Sequence, residues 1–186
     1  MTVRAYTDMG SVEDSAIANL RFLQNIGIPG DIYMGSCRGR DATMQANDML
    51  DSIPSNLYNK VWITVQKNQN QGCSWSSYPA AGNCEFLKQL IAAVKARNKE
   101  VGIYSDYYSW QSIFKSLTGC PEVGIYPLWY GSNNRQDNFS DFKGFGGFSL
   151  PVQKTYGVVS GLCNLNNVGL DYRIWLIRME IKYKDH

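Results

Sequence analysis

A chain of 186 residues is long enough for one sizeable core and short for two. Its 44% hydrophobic and 18% charged residues exclude a disordered polymer. A formal net charge of +2, with no concentrated basic run, gives no electrostatic case for a nucleic-acid partner. No apolar stretch approaches the ~20 residues that span a bilayer, so no membrane span is expected. Met1–Tyr6 lacks the apolar core of a signal peptide.

In chain order, β-branched and aromatic runs predict strands at Thr2–Tyr6, Asp31–Gly35, Val61–Gln66, Val101–Ser105, Ile125–Tyr130, Pro151–Tyr156 and Val168–Tyr172. Helical spacing fills the early gaps. Ser11–Asp14 is a candidate cap for a first helix whose stripe is Ala16, Leu20, Leu23 and Ile26, with Gly27 as its stop. Cys84–Asn98 predicts a second helix, with Phe86, Leu87, Leu90, Ile91 and Val94 on one side. Asp106–Leu117 predicts a third, with Trp110, Ile113, Phe114 and Leu117 facing inward. Alternation of this kind indicates an α/β fold with a largely parallel sheet. From Ile125 onward the helical period disappears, and Gly131–Phe148 reads as a Gly/Asn/Phe-rich loop. An irregular, incomplete (β/α) barrel fits that change better than a doubly wound sheet.

The cysteines stand at 37, 73, 84, 120 and 163, with no CxxC and a single histidine, His186. A zinc or other metal site is therefore not expected, and no cofactor is implied. Cys73 and Cys84 bracket the Ser/Pro/Gly-rich stretch Gly72–Gly82, which makes them the favoured disulfide pair. A disulfide implies an oxidising compartment.

Several stretches carry a resemblance in the right order. They are Val3-Arg4-Ala5-Tyr6 with Gly10 and Asp14, Asn25–Ile28 with Asp31–Met34, and Val61-Trp62-Ile63-x-Val65. Next come Val101–Ser105 with Trp110, then Pro127–Tyr130, Phe139-x-Asp141-Phe142 and Gln153-x-x-Tyr156-Gly157. Cys163 through Val168-Gly169-Leu170-Asp171-Tyr172 completes the series. Together they resemble the muramidase-type lysozymes of glycoside hydrolase family 25 over residues 3 to 173. The resemblance implies that family's partial barrel, here lacking the first strand. It further implies a single domain over residues 1–173, shortened at its start, and leaves the tail 174–186 unassigned. It carries no implication about oligomeric state.

The activity implied by the resemblance is cleavage of the β-1,4 bond of bacterial peptidoglycan, in innate immunity or bacterial digestion. Such a protein is secreted or lysosomal, although the sequence shows no leader. Glycoside hydrolysis needs a protonated acid at the leaving oxygen and a carboxylate to support the positive charge on the sugar. The family's Asp-x-Glu pair falls at Thr64 and Gln66, and its Asp near the C-terminal end falls at Gly169. Neither Thr nor Gln can donate a proton as an acid near neutral pH. The resemblance thus implies a catalytically impaired pseudoenzyme. Candidate substitute acids are Asp106, just past a strand end, and Asp171, two residues beyond Gly169. Tyr33, Trp62, Tyr104, Trp129 and Tyr156 match aromatic positions of the sugar groove, where carbohydrate binding could persist without cleavage; each also suits simple core packing. An active muramidase using substitute carboxylates, and a degenerate or truncated copy, stand as the two other readings.

Overall fold

Residues 1–67, 70, 72–160 and 168–173 are described by the computed structural model. Strand and helix alternate through β1 (Thr2–Tyr6), α1 (Ala16–Asn25), β2 (Asp31–Met34), α2 (Ala42–Ser52), β3 (Lys60–Val65) and α3 (Ala80–Ala96). They continue with β4 (Glu100–Ser105), α4 (Tyr107–Phe114), β5 (Leu128–Gly131), β6 (Gln153–Val159) and β7 (Val168–Arg173). The strands form one sheet in sequential order. β1 to β6 pair in parallel, and β7 returns antiparallel to β6. The sheet curls into a half-barrel. Arg173, at the end of β7, donates to the Thr2 hydroxyl at 2.9 Å and to Asp31 Oδ2 at 3.2 Å, joining the two ends of the strand order.

Strand alternation gives the sheet two faces. Ile32, Met34, Val61, Ile63, Val65, Val101, Ile103 and Leu128 point to the helices and pack with Leu20, Met49, Leu87, Leu90 and Trp110. Their neighbours in sequence line the concave side. Seven strands were legible in outline, with shifted ends. β5 starts later than Ile125 because Pro121–Ile125 winds into a 3-10 turn. β3 stops at Val65, so Gln66 stands just past the strand end.

In α1 the expected stripe Ala16, Leu20 and Leu23 is buried, whereas Ile26 is the exposed C-cap and Gly27 takes φ +71°. Ser11–Asp14 does not cap it. Val12 bridges to Tyr6, Glu13 donates its N–H to the Ala5 carbonyl, and uncapped Ser15 precedes the helix. α2 is additional to the expected elements. Its buried stripe, Ala42, Ala46, Met49 and Leu50, is half alanine and therefore gives a weak hydrophobic period. Asp41 starts it by accepting the Met44 N–H at 2.7 Å. α3 begins at Ala80, within the stretch read as loop, and α4 ends at Phe114, where Lys115 turns left-handed at φ +58°.

The expected Cys73–Cys84 disulfide is not formed. Cys37 pairs with Cys73, and Cys84 pairs with Cys120. The 3-10 turn Trp75–Ser77 and the first turn of α3 carry Cys84 away from Cys73 and toward the segment that precedes Pro121. Cys73 instead stays beside the loop after β2, where the Arg38 N–H bonds to its carbonyl. Glu122 lies close to the second bridge, but both sulfurs there are already bonded to each other and offer no thiolate to a metal. Cys163, the tail 174–186 and part of the Asn/Gln-rich stretch 67–71 lie outside the described residues. Among the described residues no helix is long and apolar enough to cross a membrane.

The loop between β5 and β6 is fastened by a buried cation. Lys154 is fully buried and donates to Asp141 Oδ1 at 2.6 Å and to the Asn138 carbonyl at 2.7 Å. Asp141 Oδ2 also accepts the Ser132 hydroxyl at 2.6 Å. Burial opposes ionisation of Asp141, but bonding to Lys154 and Ser132, with the charge of Lys154, outweighs it and lowers its pKa. A depressed folded pKa contributes stability above the unfolded value, near ~4, and that contribution is lost as the pH falls through the folded value. Urea midpoints measured downward from neutral pH should fall below about pH 4, and Asp141→Asn should flatten that part of the decline. An unchanged pH slope in Asp141→Asn would show that this pair does not govern it.

Candidate active site

The concave face presents a row of register partners across the sheet: Thr64 beside Tyr104, Tyr104 beside Trp129, Trp129 beside Gln153, and Gln153 beside Arg173. A second row pairs Tyr33 with Trp62 and Trp62 with Gly102. The glycine is required here, because a Cβ at 102 would stand 2.4 Å from the Trp62 ring. Trp129 is the hub. Its ring meets Tyr104 at 4.6 Å, Trp62 at 5.6 Å and Tyr33 at 6.3 Å between centroids, each edge-on.

Four of the five expected aromatics therefore converge. Trp62 and Trp129 are only 2% and 8% exposed, so they form the floor, while Tyr33 and Tyr104 remain partly open. Tyr156 sits at the irregular step of β6 between Thr155 and Gly157, and no ring contact joins it to Trp129 among the described residues.

The polar groups around this floor are already engaged. Thr64 Oγ1 donates to the Met34 carbonyl at 2.9 Å. Gln66 is exposed just past the end of β3. Burial, reinforced by the charges of Asp106 and Asp171, raises the Tyr104 pKa and keeps its hydroxyl protonated. Asp106 caps α4, with Oδ1 accepting the Ser109 N–H at 2.9 Å and Oδ2 the Ser109 hydroxyl at 2.5 Å.

Asp171 ends a short relay in which Trp129 Nε1 donates to Thr155 Oγ1 at 2.9 Å and Thr155 Oγ1 to Asp171 Oδ1 at 2.6 Å. Gln153 Nε2 donates to its other oxygen at 2.9 Å. Sequence reasoning missed Thr155, Gln153 and Arg173 as parts of this face. Their period-two spacing along β6 and β7 was the available signal.

The family model described as "Lysozyme-like protein 1" matches residues 1–156. "Probable GH family 25 lysozyme 2" of Dictyostelium discoideum is 30% identical over 168 residues, covering 88% of this chain and 74% of that protein. The chain belongs to the family 25 lysozymes.

"Lysozyme-like protein 5" of Caenorhabditis elegans is another relative, 26% identical over 91% of this chain and 78% of its own length. Solved structures share the lysozyme fold. A muramidase from Acremonium alcalophilum has a TM-score of 0.75 at 9% identity, covering 94% of this chain and 81% of that one. A bacterial lysozyme from Streptomyces coelicolor gives 0.74 at 18% identity, with 92% and 79% covered. Thr64 lies in the aromatic row beside Tyr104, and Gln66 follows the end of β3. Gly169 lies on the returning strand beside Val158.

Proposed function

We propose that this family 25 lysozyme-like chain binds bacterial wall glycan and hydrolyses it weakly or not at all. The observation that carries the reading is the state of the acid positions. Thr64 has its hydroxyl proton bonded to the Met34 carbonyl, and Gln66 offers an amide where a proton donor is needed. The aromatic floor supports binding, since flat sugar faces pack against partly open rings such as those of Tyr33 and Tyr104. The two disulfides support residence in an oxidising compartment, secreted or lysosomal.

The test is paired. Titration with peptidoglycan fragments and chitin-type oligosaccharides should give saturable tryptophan fluorescence changes at or below about millimolar ligand, while wall suspensions stay turbid. No binding at millimolar ligand would remove the binding half.

One observation favours a second reading, an active muramidase using Asp171. Successive same-face residues on a strand are about 7 Å apart at Cα. Even so, Asp171 Oδ1 reaches within 3.9 Å of the point where a Cβ at Gly169 would stand. Its carboxylate thus covers part of the space of the missing family acid. Under this reading wall suspensions clear, and Asp171→Asn stops the clearing. Walls that remain turbid at high protein concentration dispose of it.

A further inference from the structure

Arg38 follows Cys37 in the segment after β2, at the same end of the sheet as Gln66 and Asp106. Its guanidinium carbon lies 4.6 Å from the Tyr78 ring centroid and 4.7 Å from that of Phe86. Nε donates to Asn83 Oδ1 at 2.9 Å. Two rings and one buried amide therefore hold the planar group in place.

Among the described residues no carboxylate neutralises it, and every ion pair uses another cation. Burial lowers the Arg38 pKa, and the opposing influence is Tyr78 rather than an acid. Nη2 lies 3.0 Å from where a Cβ on Gly82 would stand, over the start of α3; Arg38 is half-buried, and among the described residues its one side-chain hydrogen bond uses Nε.

A fixed guanidinium fork with unpaired outer nitrogens matches a carboxylate in two parallel hydrogen bonds, at little further ordering cost. Stacking on aromatic rings keeps the cation in place without neutralising it. The Cys37–Cys73 disulfide ties this segment to the loop after β3, the strand that carries Thr64.

We propose that Arg38 is a carboxylate-binding subsite beside the C-terminal ends of the strands, the end at which Gln66 and Asp106 stand. It would distinguish wall glycan, whose stem peptides bear free carboxylates, from chitin-type glycan, which bears none. The proposal rests on the glycan-binding reading above.

The experiment is calorimetric titration of the full chain, its disulfides intact, with three ligands of equal sugar length: a muropeptide, the same muropeptide with its carboxylates amidated, and a chitin-type oligosaccharide. The unmodified protein should bind the muropeptide about tenfold more tightly than either ligand without carboxylates. Arg38→Gln should bring all three affinities together and leave the chitin-type Kd unchanged. Thermal melts establish that each titration is run on folded protein.

An unchanged preference in Arg38→Gln overturns the proposal, as does the absence of any preference in the unmodified protein; in both cases glycan binding itself stands. Equal weakening toward all three ligands assigns Arg38 to packing and also overturns it. Binding of none of them removes both this subsite and the glycan-binding reading.

Discussion

The double replacement Thr64→Asp/Gln66→Glu is expected to raise wall hydrolysis by at least about 10²-fold over the unmodified chain, the low end of what general acid–base assistance supplies. The glutamate introduced in place of Gln66 would come near the Tyr104 hydroxyl, which burial keeps protonated and able to donate. Donation from Tyr104 would favour the ionised carboxylate, whereas the charges of Asp106 and Asp171, which reach Tyr104, oppose it and favour the acid form. That is the state a general acid requires.

The aspartate introduced in place of Thr64 has a cost. Once ionised it cannot donate to the Met34 carbonyl as the threonine hydroxyl does, so a stability loss of about 1 kcal/mol accompanies the gain. Adding Gly169→Asp tests whether Asp171 already fills that role, because a Cβ at 169 would lie 3.9 Å from Asp171 Oδ1. If Asp171 does so, the triple variant is no faster than the double. Release of reducing ends from purified walls measures all three. A well-folded double variant that stays inert would place the defect in the cleft itself.

Asn83→Ala is expected to be strongly destabilising although it removes no apolar side chain. Asn83 is fully buried, and its Nδ2 donates to the carbonyls of Trp75 at 2.9 Å and Ile113 at 3.1 Å. Its Oδ1 accepts Arg38 Nε at 2.9 Å. One amide thus joins the turn after β3, the start of α3 and the end of α4. Alanine would leave the Ile113 carbonyl without this donor, at about 1–3 kcal/mol, would leave the Trp75 carbonyl with only the Tyr78 N–H at 3.2 Å, and would free Arg38. The melting temperature should fall by roughly 10 °C for a domain of this size. A fall of only one or two degrees would show that relaxation or water replaces the amide.

The strands were legible because they are buried on the helix face and alternate cleanly on the other. Val61, Ile63 and Val65 face the helices, while Trp62 and Thr64 face the cleft, and period two alone separates the sets. α2 escaped notice because alanines fill half its stripe and a buried glutamine, Gln45, interrupts the apolar pattern. The disulfides escaped for a different reason. Cys73 and Cys84 are close in sequence, yet both bridges join residues 36 apart, a distance set by how α2, α3 and the sheet pack. Convergence of Tyr33, Trp62, Tyr104 and Trp129 followed from strand parity and parallel register. Tyr156 was singled out by the resemblance alone, and it stands at the irregular step of β6 between Thr155 and Gly157. The Trp129–Thr155–Asp171 relay joins β5, β6 and β7, and requires the register of all three.

On the function proposed above, the aromatic cleft has lost its acids. The most direct measurement of that loss is reducing-end release from purified peptidoglycan by the unmodified protein, followed beside binding of the same glycan. Binding should saturate, with release at least about 10²-fold below that of the Thr64→Asp/Gln66→Glu variant. Release by the unmodified chain equal to that of the variant would contradict it, and would show that the acids present are sufficient for cleavage.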